Sequence, residues 1–537
     1  MRGWRKTAAA VMAAVCVAAT AACSSEPEDV APEERNFPKA VGVAIGSTPL
    51  TTNAATLDGA VAGTREVISR VLPGAFFFGP DGQLIPNSDL LTTEELPGTP
   101  RQIRYTFNSK SAWSDGRPMV CDDLLLSWAA GLHTDHFNAY SPLTDIVTKL
   151  DCQAGSREAT VTLKDGVDDG WRGLFPAGTI LPAHIVAQHA NVPDMVAALT
   201  EQQPEELDRI AHAWETIFDL DPTQQIDEQV QLSSGPYKLS SFAEHGGLLL
   251  VPNEHWWGDK PHIEQIMMWP RNANYAQLRE ERKLHLADLH GGEEAEWAAP
   301  AENLPAMKTV TRTGTLIDQL TISDVGTLAT PEARLAFNAC LDREKVAAAS
   351  GSVAGVDVKP AATRLLPGDH PAFGNVKQLE QAYLHADAAA AQPLAGSTIR
   401  VAYHDSDARY AAMVKSMADS CAEHGITVVD VTKELGDKAD LSALKDAPKA
   451  DAFLHAINPD LVFQGIGTRQ GTVHADLGPR EALIEAEKAL WDTVPTIPLS
   501  VQPRTFVTSD RVGNVVINTS ESGLGWNMDR WTDSESE

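Results

Sequence analysis

Apolar positions along this 537-residue chain alternate between strand-like and helix-like stretches, with no internal repeat. Residues 40–45 read as a buried strand, followed by a polar turn at 46–53. Helical spacing from Leu57 to Leu72 predicts a helix, which Pro73-Gly74 ends. Residues 75–78 and 83–86 flank Gly79-Pro-Asp-Gly82 and predict a hairpin. Ile, Tyr and Phe alternate with polar residues over 103–107, as in a half-buried strand; a helix over 121–132 and a strand over 160–163 follow. Short helices are expected in 170–199 and surface helix and loop in 202–226. Residues 235–239, 247–251 and 263–269 read as strands, and 275–289 as an amphipathic helix. Thr330-Pro331 places a capping hydroxyl before a first-turn proline, predicting a helix over 331–349. The clearest unit is a strand at 398–403, a helix at 409–424, Gly425 as its stop and a strand at 426–431. Short links within it predict a parallel crossover.

The front end reads as an export signal. Arg2, Arg5 and Lys6 precede an apolar run that is short for a bilayer crossing, ending in Thr20-Ala21-Ala22-Cys23. Small residues before a cysteine resemble a lipobox, so Cys23 is expected to be acylated and to become the mature N-terminus. Residues 24–36 are acidic, proline-containing and poor in apolar side chains, as in a flexible tether. The anchor would be the acyl chains, and no later stretch reads as transmembrane.

Composition narrows the function. A hydrophobic fraction of 43% and a charged fraction of 22% suit a folded protein long enough for two or three lobes. A net charge of −30 argues against nucleic acid and against electrostatic adhesion to anionic lipid. The chain contains no Gly-x-Ser-x-Gly elbow, no phosphate loop ending in Gly-Lys-Ser/Thr and no His-Glu-x-x-His. Gly465, Gly467 and Gly471 have the wrong spacing for a dinucleotide loop. The pairs His133/His136, His184/His189 and His285/His290 read as packing or surface residues, so neither a metal nor a cofactor is expected. Trp113, Trp256 and Trp257 sit beside turns; they could stack on a ligand and more simply pin those turns.

Several segments together resemble the peptide/nickel class, family 5, of extracellular solute-binding proteins. Residues 103–128 contain that family's strand, its Trp-x-Asp-Gly-x-Pro turn and the following helix. Residues 233–266, SSGPYKLSSFAEHGGLLLVPNEHWWGDKPHIEQI, match its Gly-Pro-Tyr strand and Asn-x-x-Trp-Trp-Gly-x-x-Pro turn. Residues 284–288, 334–346 and 491–500 fit further segments in the right order. Thr51-Thr-Asn53 and VLPGAFFFGPDG are similar to an actinobacterial, LpqW-like branch linked to phosphatidylinositol mannoside and lipoarabinomannan synthesis.

The resemblance implies an α/β, two-lobed periplasmic-binding-protein-like fold, class II and cluster C in type. An extra subdomain would sit in the discontinuous first lobe. The expected division is signal 1–22, tether 23–36, first lobe 37–72, subdomain 73–204, first lobe 205–285, second lobe 286–497, and closing segment and tail 498–537. The four cysteines left after export, Cys121, Cys152, Cys340 and Cys421, allow three pairings. Cys121–Cys152 and Cys340–Cys421 are favoured because each then lies within one lobe. The implied function is a monomeric, non-enzymatic lipoprotein on the outer face of the cell membrane, passing a small molecule or peptide to an ABC permease. The alternative is a non-transport factor in envelope glycolipid synthesis. Ligand contacts are expected from Asn53, Pro73, Gly74, Phe76, Ser234, Tyr237, Asn458 and Asp460. Peptide binders of this class hold the ligand's amino terminus with an acidic residue; Ile457 stands in the matching place.

Overall fold

The computed structural model describes residues 39–141, 144–165, 167, 169–290, 293–364, 381–404, 407–436, 439–445, 447–459 and 479–534. Cys23 and Asp460 lie outside these residues. Among them no helix is long and apolar enough to cross a membrane.

A ten-stranded mixed sheet runs through both lobes. The first lobe contributes Tyr237–Phe242, Leu248–Pro252, Ile266–Trp269, Val41–Ile45 and Leu286–Leu289, in that spatial order. Val41–Ile45 runs parallel to both its neighbours. Its five residues are all buried, which explains an apolar run without alternation. The second lobe contributes Ala452–Ile457, Thr398–Tyr403 and Thr427–Asp430, paired parallel as expected around the helix Ala408–Ala422. Gly425 closes that helix at φ 75°, a conformation that costs glycine little.

Two long strands, Met307–Ile322 and Thr496–Ser509, join the lobes. They pair antiparallel, with a register shift between Thr313 and Ile317. On one side of the shift, residues 505–508 pair with Leu286–Leu289. On the other, residues 317–322 pair with Ala452–Ile457. The irregularity falls where the chain passes between the lobes.

Five expectations are corrected here. Leu286–Leu289 is a strand inserted between Val41–Ile45 and the closing strand, so it belongs to the first lobe and not the second. The 497/498 boundary falls inside a continuous strand. The helix expected over 275–289 spans only Tyr275–Glu280, because Arg282 turns the chain at φ 58° into that buried strand. Likewise the helix expected over 57–72 is confined to Thr64–Ile68, and that over 331–349 is split into Pro331–Ala339 and Arg343–Ala354. Asp342 accepts a hydrogen bond from Lys345 N and caps the second of these.

Residues 73–204 hold a four-stranded antiparallel sheet in the order Leu91–Leu96, Gln102–Phe107, Glu158–Leu163, Val147–Cys152. Gln102–Phe107 buries every second residue, as its alternation requires. Trp113 is buried and donates to Asp123 Oδ2 at 3.2 Å, while Trp256 and Trp257 donate to the carbonyls of Asp259 and Asp89. All three tryptophans therefore tie turns down. Cys121–Cys152 and Cys340–Cys421 are bonded, the pairing expected from the lobes.

Each lobe has its own core. One gathers Val41, Ile266 and Leu286 with the subdomain; the other gathers Leu320, Ile399, Leu454 and Ile497. Between them, Leu57 of the first lobe is buried against Ala402, Val431, Leu441 and Phe453 of the second. The two lobes are thus closed on one another.

Candidate functional site

The interlobe site begins with a helix start. Asp407 precedes Ala408–Ala422, and its Oδ1 accepts hydrogen bonds from Arg409 N at 2.8 Å and Tyr410 N at 3.0 Å. That cap turns Oδ2 toward the first lobe, where Arg271 Nη1 lies at 3.3 Å and His290 Nδ1 at 3.4 Å. Arg271 also donates to Gly46 O at 2.7 Å. One carboxylate of the second lobe therefore holds two basic groups of the first. Burial alone would raise the Asp407 pKa, but Arg271, His290 and Arg409 hold it well below the usual carboxylate range.

Behind this bridge the first lobe carries a second ionic group. Arg504, on the closing strand, donates Nε to Asp288 Oδ1 at 3.0 Å and Nη2 to Glu66 Oε1 at 2.7 Å. Glu66 comes from the short helix Thr64–Ile68, and its Oε1 is also 3.7 Å from His290 Nε2. Asp288 accepts from Leu524 N at 2.9 Å. Its complete burial still pushes its carboxyl up to about 6 against the pull of Arg504.

Glu66, Arg271, His290, Asp407 and Arg504 wall a cavity of about 80 Å³ that also touches Ser47, His404, Tyr410 and Gln502. A second cavity of about 50 Å³ adjoins it, sharing Ala60, Arg65, His455, Ala456 and Glu521. Its other walls are largely apolar or aromatic: Trp128, Tyr140, Leu174, Phe175, Pro176 and Ile457, with Asn458 at the edge. Arg65 pairs with Glu521 at 3.1 Å. Burial pushes His455 down to about 4, leaving a neutral ring hydrogen-bonded to Thr321 Oγ1 at 2.8 Å. Taken together, the site is a small chamber with a charged, internally matched end and a more apolar end.

Of the expected ligand contacts, Asn458 lines the second cavity and the other described ones line neither. Asn53 is buried, donating Nδ2 to Trp214 O and accepting from Ala55 N, so it fastens a turn. Pro73 and Gly74 are buried, with Gly74 O accepting from Asn87 Nδ2 at 2.9 Å. Phe76 packs edge-on against Trp171 at 5.8 Å. Ser234 N donates to Val71 O, and Tyr237 Oη donates to Ile263 O at 2.8 Å inside the first-lobe core. Asn53, Gly74, Phe76 and Tyr237 are thus tied to backbone groups and core rings of the same lobe.

Glu66, Arg271, His290, Asp407 and Arg504 are not distinguished by sequence pattern as a group. Individual signals exist. Asp407 stands directly before an amphipathic stretch, and Arg504 is a lone cation within a buried strand that must meet a carboxylate.

Two outcomes follow from the bridge. Asp407→Ala removes the shared carboxylate and should favour the open form by about 2 kcal/mol, the low end for a partly solvated pair. Small-angle scattering of ligand-free protein should show a larger radius of gyration; an unchanged value would contradict the bridging role. His290 gives the second outcome. Burial disfavours its charged form, yet Asp407 and Glu66 outweigh this and raise its pKa above the ordinary 6.5. A raised folded value means the contribution is complete below 6.5 and lost as pH climbs through the raised value. Arg504, whose pKa Asp288 and Glu66 raise further, stays charged throughout that window. Ligand-free protein should therefore lose thermal stability from pH 6.5 upward, in a step that His290→Gln lacks. Parallel curves for the two proteins would remove His290 from the closure.

A family model described as Bacterial extracellular solute-binding proteins, family 5 Middle, matches residues 86–466. The chain is 31% identical over 525 residues to the uncharacterized lipoprotein Rv2585c of Mycobacterium tuberculosis, covering 90% of this chain and 91% of that one. Among solved structures it is similar to the oligopeptide-binding protein AppA of Bacillus subtilis in complex with a nonapeptide. That likeness has a TM-score of 0.66 and 14% identity, covering 92% of this chain and 99% of the other. It is also similar to NikZ from Campylobacter jejuni in complex with Ni(L-His), with a TM-score of 0.61 and 14% identity, covering 93% and 100%. The two-lobed fold agrees with these likenesses, and the match over most of the chain assigns it: the protein belongs to family 5 of the bacterial extracellular solute-binding proteins.

Proposed function

We propose that the protein is an extracytoplasmic solute receptor that encloses a small, peptide-like ligand and presents it to an ABC permease, without chemistry on the ligand. The observation that carries this reading is the ion bridge from Asp407 to Arg271 and His290, which spans the lobes beside an internal chamber. Lobes that close on a guest need a contact made only on closure, and this is one. The anchor in this reading is lipid on Cys23, in keeping with the lipoprotein name of its mycobacterial relative. AppA is described with a nonapeptide and NikZ with nickel–histidine, so the fold accommodates guests of very different size. Cavities of about 80 and 50 Å³ favour the small end of that range.

Native mass spectrometry of the protein purified from its own host tests the proposal. A co-purifying solute whose removal expands the protein in solution is the expected result. A deletion strain with normal uptake and altered lipoglycans would instead assign the chain to envelope glycolipid synthesis. Turnover of any bound compound would overturn the receptor reading.

A further inference from the structure

The geometry points to a second ligand site, inside the first lobe, for a neutral aromatic molecule of fused-ring size, with its occupancy linked to lobe closure. The site is a cavity of about 290 Å³ that shares no wall residue with either interlobe cavity. Its floor is a row of side chains across three neighbouring strands. Phe242 pairs with Leu248, and Leu248 with Met268, so the three stand side by side on one face of the sheet. Val67, from the helix Thr64–Ile68, and Leu220 also line it, and both are buried. The tip of the hairpin between Phe242 and Leu248 lies against two further wall segments. A Cβ on Gly246 would be 3.4 Å from Pro270 Cγ and 4.0 Å from Pro222 Cγ. Pro222, His245 and Asn272 are exposed and mark the mouth. Among the described residues no carboxylate, lysine or arginine lines the cavity.

Size and lining select the guest. An apolar cavity of about 150 Å³ takes a benzene ring, so this one has room for a second, fused ring. A row of side chains on a sheet face offers a flat surface, and the Phe242 ring and Met268 sulfur both favour aromatic contact. A charged guest would lose its hydration without gaining a partner. The link to closure comes from three chain segments that divide their residues between this cavity and the interlobe one. Ile45, Thr48 and Pro49 line the first-lobe cavity, while Gly46 and Ser47 line the other. Val67 and Glu66 divide in the same way, as do Pro270 and Asn272 from Arg271 between them. Arg271 Nη1 lies 2.7 Å from Gly46 O and 3.3 Å from Asp407 Oδ2. The bridge therefore ties two of the shared segments to each other and to the second lobe. A closed bridge holds these walls in place for the guest, and by reciprocity the guest favours closure.

Isothermal titration of the whole mature chain with naphthol tests the site. Naphthoate, the same rings with a carboxylate, and decanol, an alkyl alcohol with as many carbons, test the class. Naphthol should bind saturably, and naphthoate roughly tenfold or more weakly, because its charge finds no partner in the wall. Leu248→Trp puts a ring into the cavity and should remove naphthol binding. Phe242→Ala, at a half-buried position on the edge strand, should weaken it several-fold and serves if Leu248→Trp does not fold. Asp407→Ala should also weaken naphthol several-fold, although Asp407 is not a wall residue of this cavity. Absence of saturable naphthol binding, equal affinity for naphthoate, tighter binding of decanol, or undiminished affinity in Phe242→Ala would overturn the site. Unchanged affinity in Asp407→Ala would sever its link to closure. Neither failure touches the receptor reading, since none of these titrations involves the solute held between the lobes.

Discussion

Asp318→Ala is expected to lower the stability of the second lobe by about 3–5 kcal/mol, the usual loss when one member of a buried ion pair is removed. Asp318 is 0% exposed and Arg409 1%. Its two oxygens accept from Arg409 Nη1 at 2.5 Å, Arg409 Nη2 at 3.1 Å, Tyr410 Oη at 3.3 Å and Ser500 Oγ at 3.2 Å. Truncation leaves the guanidinium in the core with Ser350 Oγ, the Met413 sulfur and the Tyr410 ring beside it and no carboxylate bonded to it among the described residues. The effect should reach the site, because Arg409 and Tyr410 form the first turn of the helix that Asp407 caps. Urea unfolding followed by near-ultraviolet circular dichroism measures the loss. A double replacement, Asp318→Leu with Arg409→Met, should recover much of it, since it removes the desolvated charges together. A single variant as stable as the parent would show that the pair contributes nothing.

The other large effect concerns Cys340–Cys421, which closes a loop of sequence separation 81 in the second lobe. On the chain-entropy account, opening it frees the unfolded chain and costs about 4.5 kcal/mol. The bond joins the end of Pro331–Ala339 to Ala408–Ala422, so it clamps one helix of the lobe to another. Cys340→Ser with Cys421→Ser should shift the second-lobe transition to lower denaturant. The corresponding change at Cys121–Cys152, with separation 31, should cost about 3.7 kcal/mol and affect the subdomain. Equal unfolding midpoints for the Cys340/Cys421 variant and the parent would exclude this contribution.

Much of the fold was legible because local signals agreed with the tertiary structure. The unit from Thr398 to Asp430 has a buried strand, an amphipathic helix stopped by Gly425 and a returning strand, and all three form where the pattern places them. The subdomain strand Gln102–Phe107 shows its alternation directly. The long joining strands were not legible. Met307–Ile322 is polar and exposed in its first half and buried in its second, so no single period describes it. Its length comes from pairing with Thr496–Ser509, which a local window does not contain.

The candidate site was harder still. Asn53, Gly74, Phe76 and Tyr237 carry the family's motif, but their partners are core rings and backbone groups of the first lobe. The residues at the cavity are ordinary ones in ordinary contexts. Glu66 sits in a five-residue helix, His290 follows a strand, and Arg504 interrupts an apolar run.

By itself the amino-acid sequence determined the fold class and the family, because these depend on periodicity, turn chemistry and motifs read along the chain; among three possible cysteine pairings it only favoured the one within each lobe. Only the tertiary structure decided which charges meet. Arg504 and Glu66 are 438 positions apart, and Asp407 and His290 are 117 apart. Coulomb attraction and burial act on distance through space, which a linear pattern does not encode. The chamber between the lobes exists only once strands from opposite ends of the chain lie side by side.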